Sequence, residues 1–442
     1  MGHVFYRRTS HHILDAERGE GVYIWDTSGR RYLDASGGPA CVNVGHGVRS
    51  VVESMAEQAG RIAYAHATDF TTDVVETYSD RLAEIVPLRQ PRFFYLTSGS
   101  EAVEAALKFA RQVQLGHGGR ARALTISRWG SYHGATLGAL AVTGKPAMRE
   151  LFGPLFCDQP HIPAPYCYRC PYSATYPACN LECAGALEAE ILHQGPDRVI
   201  AFIAEPIGGS ALGAIVPPDE YWTRIAETCR RYGLLLIVDE VLCGFGRTGA
   251  WFGIDHFDVK PDVMVMAKGA AGGYVPFSIL AVERDAVARI YRAHGGFVHG
   301  GTFSHHAVGA SAALATLDYI QENALVAAVR TRGTYLGQRL ADALGELPCV
   351  GDIRGLGLLW AVEFVENREA KTPFRVALGF CERVCSLSAD RGVLLYPRSG
   401  CADGVTGDHV MVSPPFVIEE SQIDEIVDTL REAVLDVWEQ VR

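Results

Sequence analysis

The stretch Val263-Met264-Val265-Met266-Ala267-Lys268-Gly269-Ala270-Ala271-Gly272-Gly273 reads as a buried strand that ends on a lysine and runs into a turn of small residues. Three more short apolar runs, Ile200–Ala204, Leu234–Val238 and Ile279–Val282, match its first half. Helical patterns such as Asp219–Tyr232 separate some of these runs, and buried strands alternating with helices predict an α/β sheet of parallel strands. Upstream the order is strand (Phe93–Leu96), glycine-containing turn, helix (Glu101–Val113) and strand (Ala123–Ser127). Further out, Gly21–Leu33 alternates apolar and polar residues around Thr27-Ser28-Gly29, which predicts a hairpin, and a helical stretch Arg49–Ala63 follows. Beyond about Ser304 the pattern changes to two long helices, His306–Glu322 and Ala324–Leu347, with strand-like pieces at Gly357–Phe364 and Val393–Tyr396. The expected organisation is a large domain over 61–325 and a small α+β domain over 326–442, joined by the N-terminal segment 1–60.

Composition narrows the function classes. The 442 residues are 48% hydrophobic and 21% charged, enough for a substantial core, and no apolar run is long enough to span a bilayer. The N-terminal stretch MGHVFYRRTSHH lacks the apolar run of a signal peptide, so the expected location is cytoplasmic. A net charge of −11 argues against a nucleic-acid partner, because phosphate-backbone binding rests on an excess of Lys and Arg. Of twelve cysteines, eight are scattered singly, as packing residues of a reducing compartment are. The other four are Cys167, Cys170, Cys179 and Cys183, with prolines at 163, 165, 171 and 177 around them. That spacing admits zinc, an iron–sulfur cluster, or reduced cysteines packed in a proline-pinned loop.

Only five lysines are present: Lys108, Lys145, Lys260, Lys268 and Lys371. Lys108 falls in an amphipathic helical pattern, Lys145 and Lys260 each precede a proline, and Lys371 stands among polar residues, so each reads as a solvated side chain. Lys268 differs, since a lysine at a strand end beside small residues can approach a bound ring, and partial burial would favour its neutral, nucleophilic amine. Chemistry that turns an amine into a carbonyl on a pyridine cofactor needs such a lysine, an acid to keep the pyridine nitrogen protonated, and a phosphate cradle. Asp239 follows the apolar run Leu234–Val238 and supplies the acid, although by itself it equally fits a helix-capping residue. Thr97-Ser98-Gly99-Ser100-Glu101 places free N–H groups and hydroxyls at a helix start, where an anion is favoured, though simple capping gives the same pattern.

With these residues in view, the chain resembles the class III pyridoxal-phosphate aminotransferases over nearly its whole length. The resemblance is carried in order by SGSEAVEAALK (98–108), SYHGAT (131–136), AEP (204–206), VDEVLCGFGRTG (238–249), MAKGAAGGYVP (266–276), GTFSHH (301–306) and SPPFVI (413–418). It implies the type I fold of pyridoxal-phosphate-dependent transferases: α/β, with a mostly parallel central sheet in the large domain and a small α+β domain. It also implies pyridoxal 5′-phosphate held by Lys268 as a Schiff base, with Asp239 as pyridinium partner and Val241 under the ring. Tyr132 would stack on the other face with His133 beside it, and Ser98, Gly99 and Ser100 would hold the phosphate. Thr302 would reach the phosphate of a neighbouring subunit, making the protein a homodimer with shared sites. Glu205 would lie on the substrate side of the ring, and Ser36-Gly37-Gly38 would line the substrate pocket. The implied reaction passes an amino group from an amine or amino acid to a keto acid or aldehyde. The same scaffold also serves epimerases, aminomutases, lyases, decarboxylases and carbon–carbon bond-forming enzymes. A non-catalytic metal-binding protein built on the cysteine cluster is the reading of a different class.

Departures from the family pattern bear on the substrate. Many relatives have an arginine two residues before Ser-Pro-Pro, where Met411 stands here. A carboxylate clamp would then come from Arg398 or His409, or the substrate lacks an α-carboxylate. Leu242 replaces a glutamine, His305 a glycine, Ala307 a proline, and Ala270-Ala271 a bulkier pair. His305 fits either a polar pocket contact or a satisfied histidine elsewhere.

Overall fold

The computed structural model describes residues 3–7, 13–116, 118–119 and 121–442; residues 1–2 and 8–12 of the N-terminal stretch lie outside them. Its centre is a seven-stranded sheet: β1 (Pro91–Leu96), β2 (Leu124–Arg128), β3 (His161–Ile162), β4 (Val199–Ala204), β5 (Leu235–Asp239), β6 (Val263–Met266) and β7 (Ser278–Glu283), in spatial order β1-β7-β6-β5-β4-β2-β3. Strands β3, β2, β4, β5 and β6 pair in parallel, in registers such as Ala204↔Val238 and Asp239↔Val265.

These runs form the centre because both of their faces can be buried. Val263 and Val265 pack on one side of β6, with the helix Gly99–Gly116, while Met264 and Met266 pack on the other. Every residue of β4 is buried, as expected where helices cover both faces of a parallel sheet. The helix Tyr221–Tyr232 returns the chain from β4 to β5, giving the expected strand–helix–strand unit.

One expectation fails at β7. Read as another parallel strand, Ser278–Glu283 runs antiparallel to both β6 and β1. A parallel return needs a crossover of about a dozen residues or more, usually a helix. Between β6 and β7 the only regular element is the 3-10 turn Lys268–Ala271, so the chain comes straight back.

The second style of structure lies beyond the helix Ala307–Glu322. A four-stranded antiparallel sheet is built from β8 (Val350–Leu356), β9 (Leu359–Phe364), β10 (Tyr396–Ser399) and β11 (Asp408–Val412), in order β8-β9-β11-β10. The expected single strand at 393–396 divides: Val393–Leu394 pairs with Arg31–Asp34, while Tyr396–Ser399 pairs with β11. The N-terminal hairpin forms as read, from Tyr23–Asp26 and Arg31–Asp34. It thereby joins C-terminal residues in one sheet. Helices Leu325–Leu344 and Phe380–Asp390 cover these small sheets, and Glu420–Val441 packs against both helices. Among the described residues no helix is long and apolar enough to cross a membrane.

Candidate active site

The C-terminal ends of four parallel strands converge, where ligands sit in open α/β sheets. Asp239 is the last residue of β5, Glu205 follows β4, Lys268 lies two residues beyond β6, and Tyr132 and His133 lie in the loop after β2. Asp239, Glu205 and Lys268 end or closely follow apolar strands, which explains how these polar groups come to stand at the edge of the core.

Asp239 has a protein partner that sequence reasoning missed. Its Oδ2 lies 2.6 Å from His133 Nδ1 and its Oδ1 accepts from Val241 N at 3.0 Å, with both side chains of the pair buried. An ionised carboxylate only accepts, so Nδ1 donates and Nε2 is left to face inward. That Nε2 is buried and meets no hydrogen-bond partner among the described residues. The signal for this pair was the histidine following Tyr132, but a separation of 106 residues hides it from any local pattern.

Glu205 is 4% exposed and burial pushes its carboxyl up to about 7, with the Asp239 charge adding to the rise and His133 and Arg128 opposing it. Its Oε1 accepts from Gly209 N at 3.2 Å, and its backbone carbonyl accepts from the Arg128 guanidinium at 2.5 Å. Lys268 opens the 3-10 turn in the left-handed region, φ +47°. Such a backbone is uncommon for a residue with a side chain and marks a position worth its strain. Burial lowers the Lys268 amine from its ordinary range, against the nearby charges of Cys41, Asp239 and Glu205.

The helix Gly99–Gly116 starts against this cluster. A methyl group at Gly99 would stand 3.0 Å from Val241 Cγ1 and 3.7 Å from Ala267 Cβ, so the helix start sits directly on the residues flanking Asp239 and Lys268. Ser98 Oγ accepts from Glu101 N at 3.2 Å, and Ser100 Oγ accepts from Ala135 N at 3.1 Å. The helix thus begins two residues before its expected start and directs its first N–H groups and dipole at the site. Leu242 is buried, with Cδ1 3.9 Å from where a Gly209 Cβ would stand.

Tyr132 is 37% exposed, and Thr302 is exposed in a turn next to Gly301, which lies beside Glu101 at the helix start. Ser36 caps a short turn, and Gly37, at φ +55°, is so close to the Ser413 carbonyl that a Cβ would approach it to 2.6 Å. Ser413 Oγ also donates to Ser36 O at 2.8 Å, so segment 36–38 is fastened to the Ser-Pro-Pro motif.

The substrate-side expectations separate. Arg398 and His409 are cross-strand neighbours on β10 and β11. Both meet Ser210, Arg398 Nη2 at 3.5 Å from its Oγ and His409 Nε2 at 3.2 Å from its carbonyl. Burial and the surrounding cations Arg354, Lys145 and Arg398 hold His409 well below the usual histidine range, so it is a neutral ring and offers a carboxylate no charge. Met411 is core, 2% exposed. His305 packs edge-on to Phe94 and Tyr95, with centroids 4.8 and 5.5 Å away, and burial lowers its pKa. It stands in an aromatic cluster.

Cys167, Cys170, Cys179 and Cys183 are free thiols that line one cavity. Burial and the other three thiols push Cys183 up to about 11.

The family model Aminotransferase class-III matches residues 5–434. This chain belongs to the class III aminotransferases. It is 35% identical over 424 residues to a putrescine–pyruvate aminotransferase of Pseudomonas aeruginosa, covering 94% of this chain and 89% of that one. An uncharacterized aminotransferase of Bacillus subtilis is 34% identical, over 96% and 95% of the two chains. Among solved structures, the PMP-bound form of an aminotransferase from Vibrio fluvialis superposes with a TM-score of 0.93 at 31% identity, covering 100% and 97%. An (S)-enantioselective omega-transaminase from Thermomicrobium roseum superposes at 0.92 with 34% identity, covering 99% and 96%. The class III aminotransferase is a pyridoxal-phosphate enzyme, and the type I fold expected from its motifs is the one observed. Amino transfer, not the other chemistries of the scaffold or a non-catalytic role, is what the relatives share.

Proposed function

We propose that Lys268 is the residue to which this class III aminotransferase attaches pyridoxal phosphate, and the base that moves the substrate's α-proton. The observation that carries this reading is the Lys268 amine, lowered by burial, beside the buried Asp239–His133 pair and the start of the helix Gly99–Gly116. A buried His133 Nε2 that meets no hydrogen-bond partner among the described residues, and a helix start with free N–H groups, are what a polar, phosphate-bearing ring would fit. When bound, the cofactor supplies an aldehyde that captures the amine and a ring that accepts electrons as the α-proton leaves.

The chain's own residues supply the rest. Asp239, oriented by its hydrogen bond with His133, holds the pyridine nitrogen protonated. Ser98, Gly99 and Ser100 hold the phosphate through hydroxyls and free N–H groups. Val241 and Tyr132 confine the two ring faces, and Glu205 borders the substrate side. A lysine lowered from its ordinary range by burial gives up its proton more easily than an exposed one, and so is more readily available to take the α-proton. Segment 36–38 and Arg398, beside Ser210, line the substrate space, and Arg398 is the cation that meets a carboxylate. The two substrate classes are an amine or amino acid donor and a keto acid or aldehyde acceptor. The working unit is a cytoplasmic homodimer in which Thr302 serves the partner's phosphate. Its large domain spans 61–325, with segments 1–60 and 326–442 forming the small one.

Borohydride reduction of the yellow holoenzyme followed by peptide mapping tests the assignment: the label belongs on Lys268, and a label on any other lysine overturns it. Lys268→Ala is expected to lower turnover with putrescine and pyruvate, or with the best donor found by screening against pyruvate and 2-oxoglutarate, by about a thousandfold or more.

A further inference from the structure

The chain between β3 and the helix Glu182–Gln194 is irregular, and its one regular element is the 3-10 turn Cys167–Arg169. A loop of this length without its own secondary structure is uncommon in a compact domain unless something fastens it. All four of its cysteines line a single cavity, none of them is in a disulfide, and Cys167 and Cys183 each lie within electrostatic reach of the other thiols.

This loop also touches the substrate side. Arg169, between the first two cysteines, donates to Glu363 Oε1 at 2.6 Å and to Lys371 O at 2.7 Å. Buried Glu363 accepts in addition from the Tyr166 hydroxyl and, at 2.8 Å, from Arg354. Arg354 in turn donates to Gly213 O at 2.6 Å and to Leu212 O. A continuous set of charge-assisted hydrogen bonds therefore runs from the Cys-Tyr-Arg-Cys turn to the segment that follows Glu205 and contains Ser210.

We propose that Cys167, Cys170, Cys179 and Cys183 bind one zinc ion, which fastens this loop and fixes Arg169 in the network that supports the 205–213 segment. Four soft sulfur ligands from a C-x2-C pair and two further cysteines suit a structural, four-coordinate zinc site. Among the described residues no three of these sulfurs lie within 4.8 Å of one another. Zinc–sulfur bonds of about 2.3 Å require closer sulfurs, so binding contracts the loop and releases the four thiol protons to solvent. Because none of the four cysteines is among the residues assigned to the cofactor, the zinc site stands or falls independently of the role given to Lys268.

Holoenzyme produced with zinc in the medium is expected to carry about one zinc per chain by inductively coupled plasma mass spectrometry. Cobalt(II) in its place should give the red d–d bands of tetrahedral thiolate coordination, which do not overlap the cofactor's absorption. Cys170→Ser and Cys183→Ser should lose the metal, whereas Cys349→Ser should keep it. If the serine variants fail to fold, a mercurial titration of the wild-type enzyme decides the matter by releasing zinc to a chromogenic chelator. Zinc below about a tenth per chain, zinc retained by Cys170→Ser, or iron with acid-labile sulfide in its place would each overturn the proposal.

Discussion

At the level of a single residue, Glu205 ties the candidate site to pH. Its folded-state pKa of about 7 stands above the 4.5 of an ordinary glutamate because burial disfavours the anion. Between those values the folded chain holds a proton that the unfolded chain has released. The stability this contributes is complete below pH 4.5 and is lost as pH rises through 7. Glu205→Gln should therefore flatten the pH dependence and be the more stable form at pH above 8, by up to about 3 kcal/mol. Urea denaturation of both proteins across the range measures it, and parallel curves would exclude a buried, proton-holding Glu205. Lys268 and Asp239 were legible as single residues because each stands at the end of an apolar run, where a charge is conspicuous. His133 as the partner of Asp239 was not, since a hydrogen bond between distant loops leaves no pattern in either one.

Among elements, the helix Gly99–Gly116 carries the proposed phosphate cradle. Its start abuts Val241 and Ala267, and a Cβ at Gly99 would force Val241 to give way. Gly99→Ala should weaken cofactor binding about tenfold, roughly 1.4 kcal/mol, in a fluorescence titration of the apoenzyme with pyridoxal phosphate. Unchanged affinity would mean that this helix start is not the phosphate cradle. The Ser-Gly-Ser-Glu signal announced the helix but placed its start two residues late, because capping by Ser98 is a matter of backbone geometry. The direction of β7 was likewise out of reach of composition: an apolar run looks the same in either direction, and only the short link after Lys268 shows that it must return antiparallel.

In the whole molecule, segments from the two ends of the chain meet at one buried arginine. Arg247, fully buried, ties them: it donates to Asn43 Oδ1 at 2.7 Å, to Pro414 O at 2.6 Å and to Leu358 O at 3.0 Å, and burial lowers its guanidinium to about 9. Thr302 points to a further level, since it is exposed beside the helix start in a single chain. If it completes a partner's site, mixing Lys268→Ala and Thr302→Ala subunits should restore activity that neither has alone. Random pairing would give about a quarter of wild-type turnover, and no recovery after subunit exchange would place Thr302 outside the site. The succession of strands along the chain, the strand-end positions of Lys268 and Asp239 and the family motifs were set down in the sequence itself, because buried runs, small-residue turns and helix starts are local and repeat a fixed period. Which polar groups meet was decided only by the tertiary structure: the pairing of His133 with Asp239, the neutral His409 against Ser210, and His305 packed among aromatics. Burial and contact between distant segments set those outcomes, and they exist only once the chain has closed.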